Sequence, residues 1–225
     1  MATIPQEQAG RSTGGRWFRL EQVGWAGYLG MLEILDGRRS PRLIYLDGDL
    51  TLMSPTSIEH ERLSDRLSDS VKVIIEVFQI PCYATREATY KRRGLDAGIQ
   101  GDVTFYLHEN VARIRGKKRI DLRTDPPPDL AIEAVVTHRA TEAVRTWRRL
   151  HVPEIWVADA AGLGFLVRGP RGRYSTSETS RAFPFLSAAE LFDQIKLHLD
   201  SDDQIWLAGF RQWVQAMLAP RRAGG

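Results

Sequence analysis

The sequence predicts an α/β (α+β) fold in which a mixed β-sheet is flanked by helices. Three observations carry that prediction. Apolar residues recur at helical spacing across two long segments, an Asp-Gly pair separates two short alternating stretches, and one nearly unbroken apolar run resembles a central strand.

Taken in order, Trp25, Tyr28, Leu32 and Leu35 recur at helical spacing and predict a helix over about residues 20–35. Residues 42–46 and 49–53 form two strands joined at Asp47-Gly48, a strong hairpin signal. A long helix follows Ser54-Pro55, opened by a capping box of Thr56 and Glu59. Its buried stripe is Leu63, Leu67, Val71, Ile74 and Phe78, and it ends near Pro81. Residues 82–90 are expected as one strand, residues 91–101 as a polar turn, and residues 102–107 as a strand rich in β-branched and aromatic side chains. After a basic loop and Pro126-Pro127-Pro128, residues 129–136 are apolar except for Glu133, the pattern of a strand covered on both faces. A helix over residues 140–150 comes next, then strands over 155–158, 164–168 and 173–176, and helices over 188–197 and 204–218. Residues 1–15 and 219–225 are expected as disordered ends of a single domain spanning 16–218.

Composition narrows the function classes. The 225 residues are 43% hydrophobic and 26% charged, enough to bury a core, and no apolar run approaches the roughly 20 residues of a membrane-spanning helix. The amino terminus lacks the apolar stretch of a secretory signal. Cys82 is the only cysteine, which excludes an internal disulfide framework and a cysteine-built zinc site, and a cytoplasmic location is expected. Net charge is only +3, but basic residues cluster at Lys91-Arg92-Arg93, from Arg113 to Arg119, at Arg145, Arg148 and Arg149, and at Arg168, Arg171 and Arg173. Such clusters could contact phosphates, but taken alone they read first as solvated hairpin tips and helix faces.

The residue with most to say about chemistry is Glu133. A carboxylate set among Leu130, Ala131, Ile132, Ala134, Val135 and Val136 costs several kcal/mol to bury unpaired. An arginine salt bridge or a metal ion would each offset that cost. Asp102, at the start of another strand directly after Gly101, supplies a second carboxylate, and two acids on separate strands can converge on one Mg²⁺. Seven residues along a helix bring His60 within about 20° of Leu67, so His60 faces the sheet from the first turn. Glu59 lies on the same side unless capping engages it. The remaining histidines (His108, His138, His151 and His198) lack metal-ligand spacing. GxGxxG, the phosphate-cradling GxxxxGK[ST] and GxSxG are all absent.

Four segments in order, PRLIYLDGDLTLMSPTSIEHE at 41–61, GDVTFYL at 101–107, PDLAIEAV at 128–135 and VPEIWVAD at 152–159, resemble the Uma-type restriction endonucleases of the PD-(D/E)XK nuclease superfamily. The resemblance covers about residues 20–180. It implies a restriction-endonuclease-like sheet, a metal held by Asp102 and Glu133, and a role for His60, which matches the histidine at the start of the family's helix. Mg²⁺ or Mn²⁺ would then serve hydrolysis of a phosphodiester in DNA, and cutting both strands of a duplex favours a homodimer.

The chain departs from that pattern in three places. Gly101 replaces a proline, Ile44 stands where many relatives carry glutamate, and the lysine is missing both from Val135 and from the helix position that aligns with Ala143. Arg139 and Arg145 are the nearest cations. Arg145 is the candidate substitute, able to stabilise phosphate charge but, with a pKa above about 12, a poor proton-transfer partner. The alternative function is a catalytically degenerate nuclease fold that binds nucleic acid or a protein partner without cleavage.

Overall fold

A computed structural model of the chain describes residues 7–12, 15–36, 38, 40–55, 58–86, 88–134, 140–197 and 201–223. Strands β1 (Glu7–Ser12) and β2 (Gly15–Leu20) precede helix α1 (Gly24–Ile34). Strands β3 (Arg42–Leu46) and β4 (Asp49–Pro55) then form the Asp-Gly hairpin, with φ of 51° at Asp47 and 91° at Gly48. Both positive values are what a tight two-residue turn requires. Helix α2 (Ile58–Val77) leads to β5 (Cys82–Arg86), β6 (Thr89–Arg92), a 3-10 turn (Arg93–Leu95), β7 (Ala97–Gln100) and β8 (Val103–Leu107). Next come α3 (Glu109–Ile114), β9 (Leu130–Ala134), α4 (Ala140–Arg149), β10 (Glu154–Ala158), β11 (Leu163–Arg168) and β12 (Tyr174–Ser177). Helices α5 (Ala188–Lys196) and α6 (Asp203–Trp213), a π-helical stretch (Val214–Leu218) and α7 (Ala219–Ala223) complete the chain.

The strands make two sheets rather than one. The first, in order β1-β2-β4-β3-β7-β6, is antiparallel throughout; the second, β12-β11-β10-β9-β8-β5, is mixed because β9 and β10 run parallel. The segment 82–90 is accordingly not one strand. It changes sheet between β5 and β6, and a ring of three hydroxyls ties the two sheets at that crossing: Thr85 Oγ1, Tyr90 Oη and Thr104 Oγ1 lie 2.6–2.7 Å apart. The presumed polar turn at 91–101 contains β7 for the same reason, since Ile44 and Ile99 pair across the sheet.

Neither expected tail is wholly irregular. Residues 7–12 pair with β2, and β2 pairs with β4, because ladder bonds join backbone groups and need no apolar side chains. Residues 219–223 continue the terminal helix, where each added residue gains a bond without a new nucleation cost. The Thr56 half of the expected capping box lies outside the described residues.

Three apolar clusters fill the molecule. Leu67, Val71 and Ile74 of α2 pack on Leu130 and Ile132 of β9, with Leu191, Trp206 and Phe210 of α5 and α6 in the same cluster. Ala143 and Trp147 of α4 join Ile44, Ile99, Tyr106 and Ala131 between the sheets. Tyr28 of α1 packs with Leu43, Tyr45 and Leu50. Strand β9 is therefore covered on both faces, and all five of its residues are buried.

Candidate active site

Register brings the two carboxylates together. Val103 pairs with Ile132 in the antiparallel β8–β9 ladder, so Asp102 and Glu133 occupy the next step of that register on adjoining strands. Residues directly opposite in such a pair have Cβ atoms about 5 Å apart. The side chains point at the same object, the guanidinium of Arg42 on β3. Arg42 Nη1 donates to Asp102 Oδ1, and Nη2 donates to Glu133 Oε2 at 3.1 Å. Nε and Nη2 also donate to the Gln100 carbonyl at 3.1 and 2.9 Å, while the Gln100 side chain accepts from the Leu43 amide at 2.8 Å. The three charged side chains are only 9%, 7% and 5% exposed for Arg42, Asp102 and Glu133.

The second oxygen of Glu133 is also engaged. Trp147 of α4 donates its indole N–H to Oε1 at 2.7 Å. This contact accounts for glycine at 101: a Cβ there would lie 2.7 Å from Cζ2 of the Trp147 ring, closer than real Cβ atoms approach. Asp102 differs. Its Oδ2 is buried and accepts no hydrogen bond among the described residues.

His60 reaches the site from the first turn of α2. Its Nε2 lies 2.7 Å from the Ala134 carbonyl oxygen and 3.9 Å from Asp102 Oδ2. A carbonyl can only accept, so Nε2 carries a proton and donates it to Ala134. Nδ1 lies 3.7 Å from Glu61 Oε1.

Other candidates stand elsewhere. Glu59 is exposed, as are His108 and His151, and Val135, His138, Arg139 and His198 lie outside the described residues. Arg145 does not join the pair. It is exposed and lines a separate pocket with Arg19, Ile44, Asp49, Thr51 and Glu142. In that pocket Glu142 accepts from Arg19 at 3.0 Å and from Thr51 at 2.7 Å. The helical turn from Glu142 to Arg145 carries both toward that cluster, whereas Ala143 and Trp147 face inward. Ile44 and Ala143 thus share one buried apolar cluster.

A match to a family model covers residues 28–200, and its description is Uma2, putative restriction endonuclease. The chain belongs to the Uma2 family. Among solved structures, the chain is similar to a putative nuclease belonging to DUF820 from Anabaena variabilis. It is 18% identical at a TM-score of 0.49, over 74% of this chain and 92% of that one. A search of curated proteins returned no match. Restriction-endonuclease-like families are generally dependent on a divalent metal, and the donor chemistry of this Uma2 protein suits one. Two hard anionic oxygens sit side by side, and Mg²⁺ is commonly held by one or two carboxylates plus waters and substrate phosphates. Among the described residues no group of three or more His, Cys, Asp or Glu is arranged to hold a metal. No described helix is long and apolar enough to cross a membrane.

Three site residues had no place in the sequence reading: Arg42, Trp147 and Gln100. Arg42 carried one signal. Alternation along β3 puts Arg42, Ile44 and Leu46 on one face, and an inward arginine on an apolar face needs an acidic partner.

Proposed function

We propose that this protein is a DNA endonuclease that hydrolyses phosphodiester bonds at the Asp102–Glu133 pair. The observation that supports the reading most is the convergence of Asp102 and Glu133 on one positive charge, with His60 3.9 Å from Asp102. Asp102 and Glu133 would hold Mg²⁺ or Mn²⁺, which when bound supplies charge to the phosphate and a more acidic water. Asp102 Oδ2, which has no hydrogen-bond donor among the described residues, would orient the attacking water. His60, held through Nε2 by the Ala134 carbonyl, would assist proton transfer beside Asp102. Arg42 favours an approaching phosphate through its forked donors. A homodimer, with one site per strand, suits duplex cleavage.

Incubation of plasmid and single-stranded DNA with Mn²⁺ or with EDTA tests the reading. The wild type nicks only with Mn²⁺, Asp102→Ala and Glu133→Ala abolish nicking, and His60→Ala slows it about 10²- to 10⁴-fold. Equal nicking by wild type and both acid variants would remove the site. One feature favours a second reading, a binder that does not cleave: Ile44 and Ala143, where the family resemblance leads one to expect a glutamate and a lysine, lie in a buried apolar cluster. DNA retention without cleavage under any metal is its signature.

A further inference from the structure

A buried pair of ionised acids is costly without a counter-cation, and here the chain supplies one. Asp102 and Glu133 carry two negative charges and Arg42 one positive, so the trio is left at −1. A divalent ion in place of the guanidinium would bring the acids to neutrality. The arginine is not a loose surface partner. Its other bonds go to the Gln100 carbonyl, whose own side chain is fixed by the Leu43 amide, so the cradle is built into the β3–β7 contact. Its forked nitrogens meet the facing oxygens of both acids, leaving Glu133 Oε1 to Trp147 and Asp102 Oδ2 toward His60. A cation shared by the pair needs those same facing oxygens.

We propose that Arg42 is the resident cation of this site and excludes a divalent ion from it, so that metal enters only when the guanidinium withdraws. The inference rests on the reading of Asp102 and Glu133 as the cation-binding pair, but not on cleavage. Arg42 and a metal are alternative occupants. A phosphate group, which matches the guanidinium fork as well as a carboxylate does, is the ligand chemistry able to draw Arg42 away.

Titration with Mn²⁺, read by electron paramagnetic resonance without nucleic acid, tests this on the full chain. Wild type, Arg42→Ala, Arg42→Gln and Arg42→Ala combined with Asp102→Asn are compared, with thermal melts in EDTA and in Mn²⁺. Removing the guanidinium is expected to tighten Mn²⁺ binding about 10- to 100-fold, the scale on which neighbours of metal ligands act. Asp102→Asn abolishes the gained site. Mn²⁺ raises the melting temperature of both Arg42 variants and leaves the wild type unchanged. A wild type that binds Mn²⁺ as tightly as Arg42→Ala, at a site lost with Asp102→Asn, overturns the proposal. So does failure of both Arg42 variants to fold even in Mn²⁺, because the metal should then replace the lost charge. A gained Mn²⁺ site without DNA cleavage leaves this inference standing and removes the nuclease reading.

Discussion

Two glutamates are buried on adjacent parallel strands, and they are held in opposite ways. Glu133 on β9 is bound by a cation and an indole, with a second acid and a histidine beside it. Glu154 on β10 is bound by neutral donors: the Trp156 indole at 2.9 Å, the Arg181 amide at 3.2 Å, the Ala182 amide at 2.7 Å and the Ser180 hydroxyl. Burial raises the Glu154 pKa above its ordinary value, and those four donors pull it part of the way back. The difference separates a carboxylate satisfied by neutral donors from one held in a charged cluster. The Glu154 donors come mostly from one loop and fix it to the strand, leaving neither oxygen without a donor. The Glu133 site gathers an arginine and a second acid, Asp102, whose Oδ2 has no donor among the described residues.

The largest expected effect comes from breaking the charged side of this comparison. Arg42→Ala in EDTA strands two buried carboxylates and should cost about 3–5 kcal/mol in urea denaturation. A loss below about 1 kcal/mol would mean the trio is far more hydrated than its burial indicates. Trp147→Phe removes one hydrogen bond to a charged group, at about 1.5–3 kcal/mol, and should slow cleavage as well because Glu133 loses a fixed partner.

Glu154→Gln tests the neutral side. It turns one acceptor into a donor facing N–H groups, and should cost about 1–3 kcal/mol while leaving cleavage intact. The pH dependence has a definite sign. A carboxyl whose folded pKa lies above its unfolded value binds more protons in the folded state. Its stabilising contribution is therefore complete below the unfolded value of 4.5 and is lost as pH rises through the higher folded value. Wild type should lose stability relative to Glu154→Gln as pH rises above 4.5, read as converging urea midpoints. Parallel pH profiles for the two proteins would contradict it. The smallest effect belongs to Arg145→Ala, an exposed residue of the separate pocket, expected within about 0.5 kcal/mol and without change in cleavage.

Much of this site was legible in the chain. Glu133 stood out because an acid within an apolar run violates a local rule, and His60 because helical spacing to Leu67 is a local quantity. Arg42 was not, since its partners lie 60 and 91 residues away and nothing near it in sequence names them. Arg145 misled for a related reason. Proximity to the site along a helix does not say which face the residue takes, and three residues' spacing from Glu142 turned it toward Arg19 and Thr51.

By itself the sequence determined the fold class, the Asp-Gly hairpin, the inward helices and the acid pair, because periodicity, turn chemistry and the cost of burying charge all act over a few residues. Only the tertiary structure decided that β5 and β6 belong to different sheets, that Glu154 is caged by a loop some 27 residues on, and that the acid pair already holds an arginine. Those outcomes depend on which donors arrive from distant segments, and a buried charge accepts whichever compensating partner the fold delivers to it.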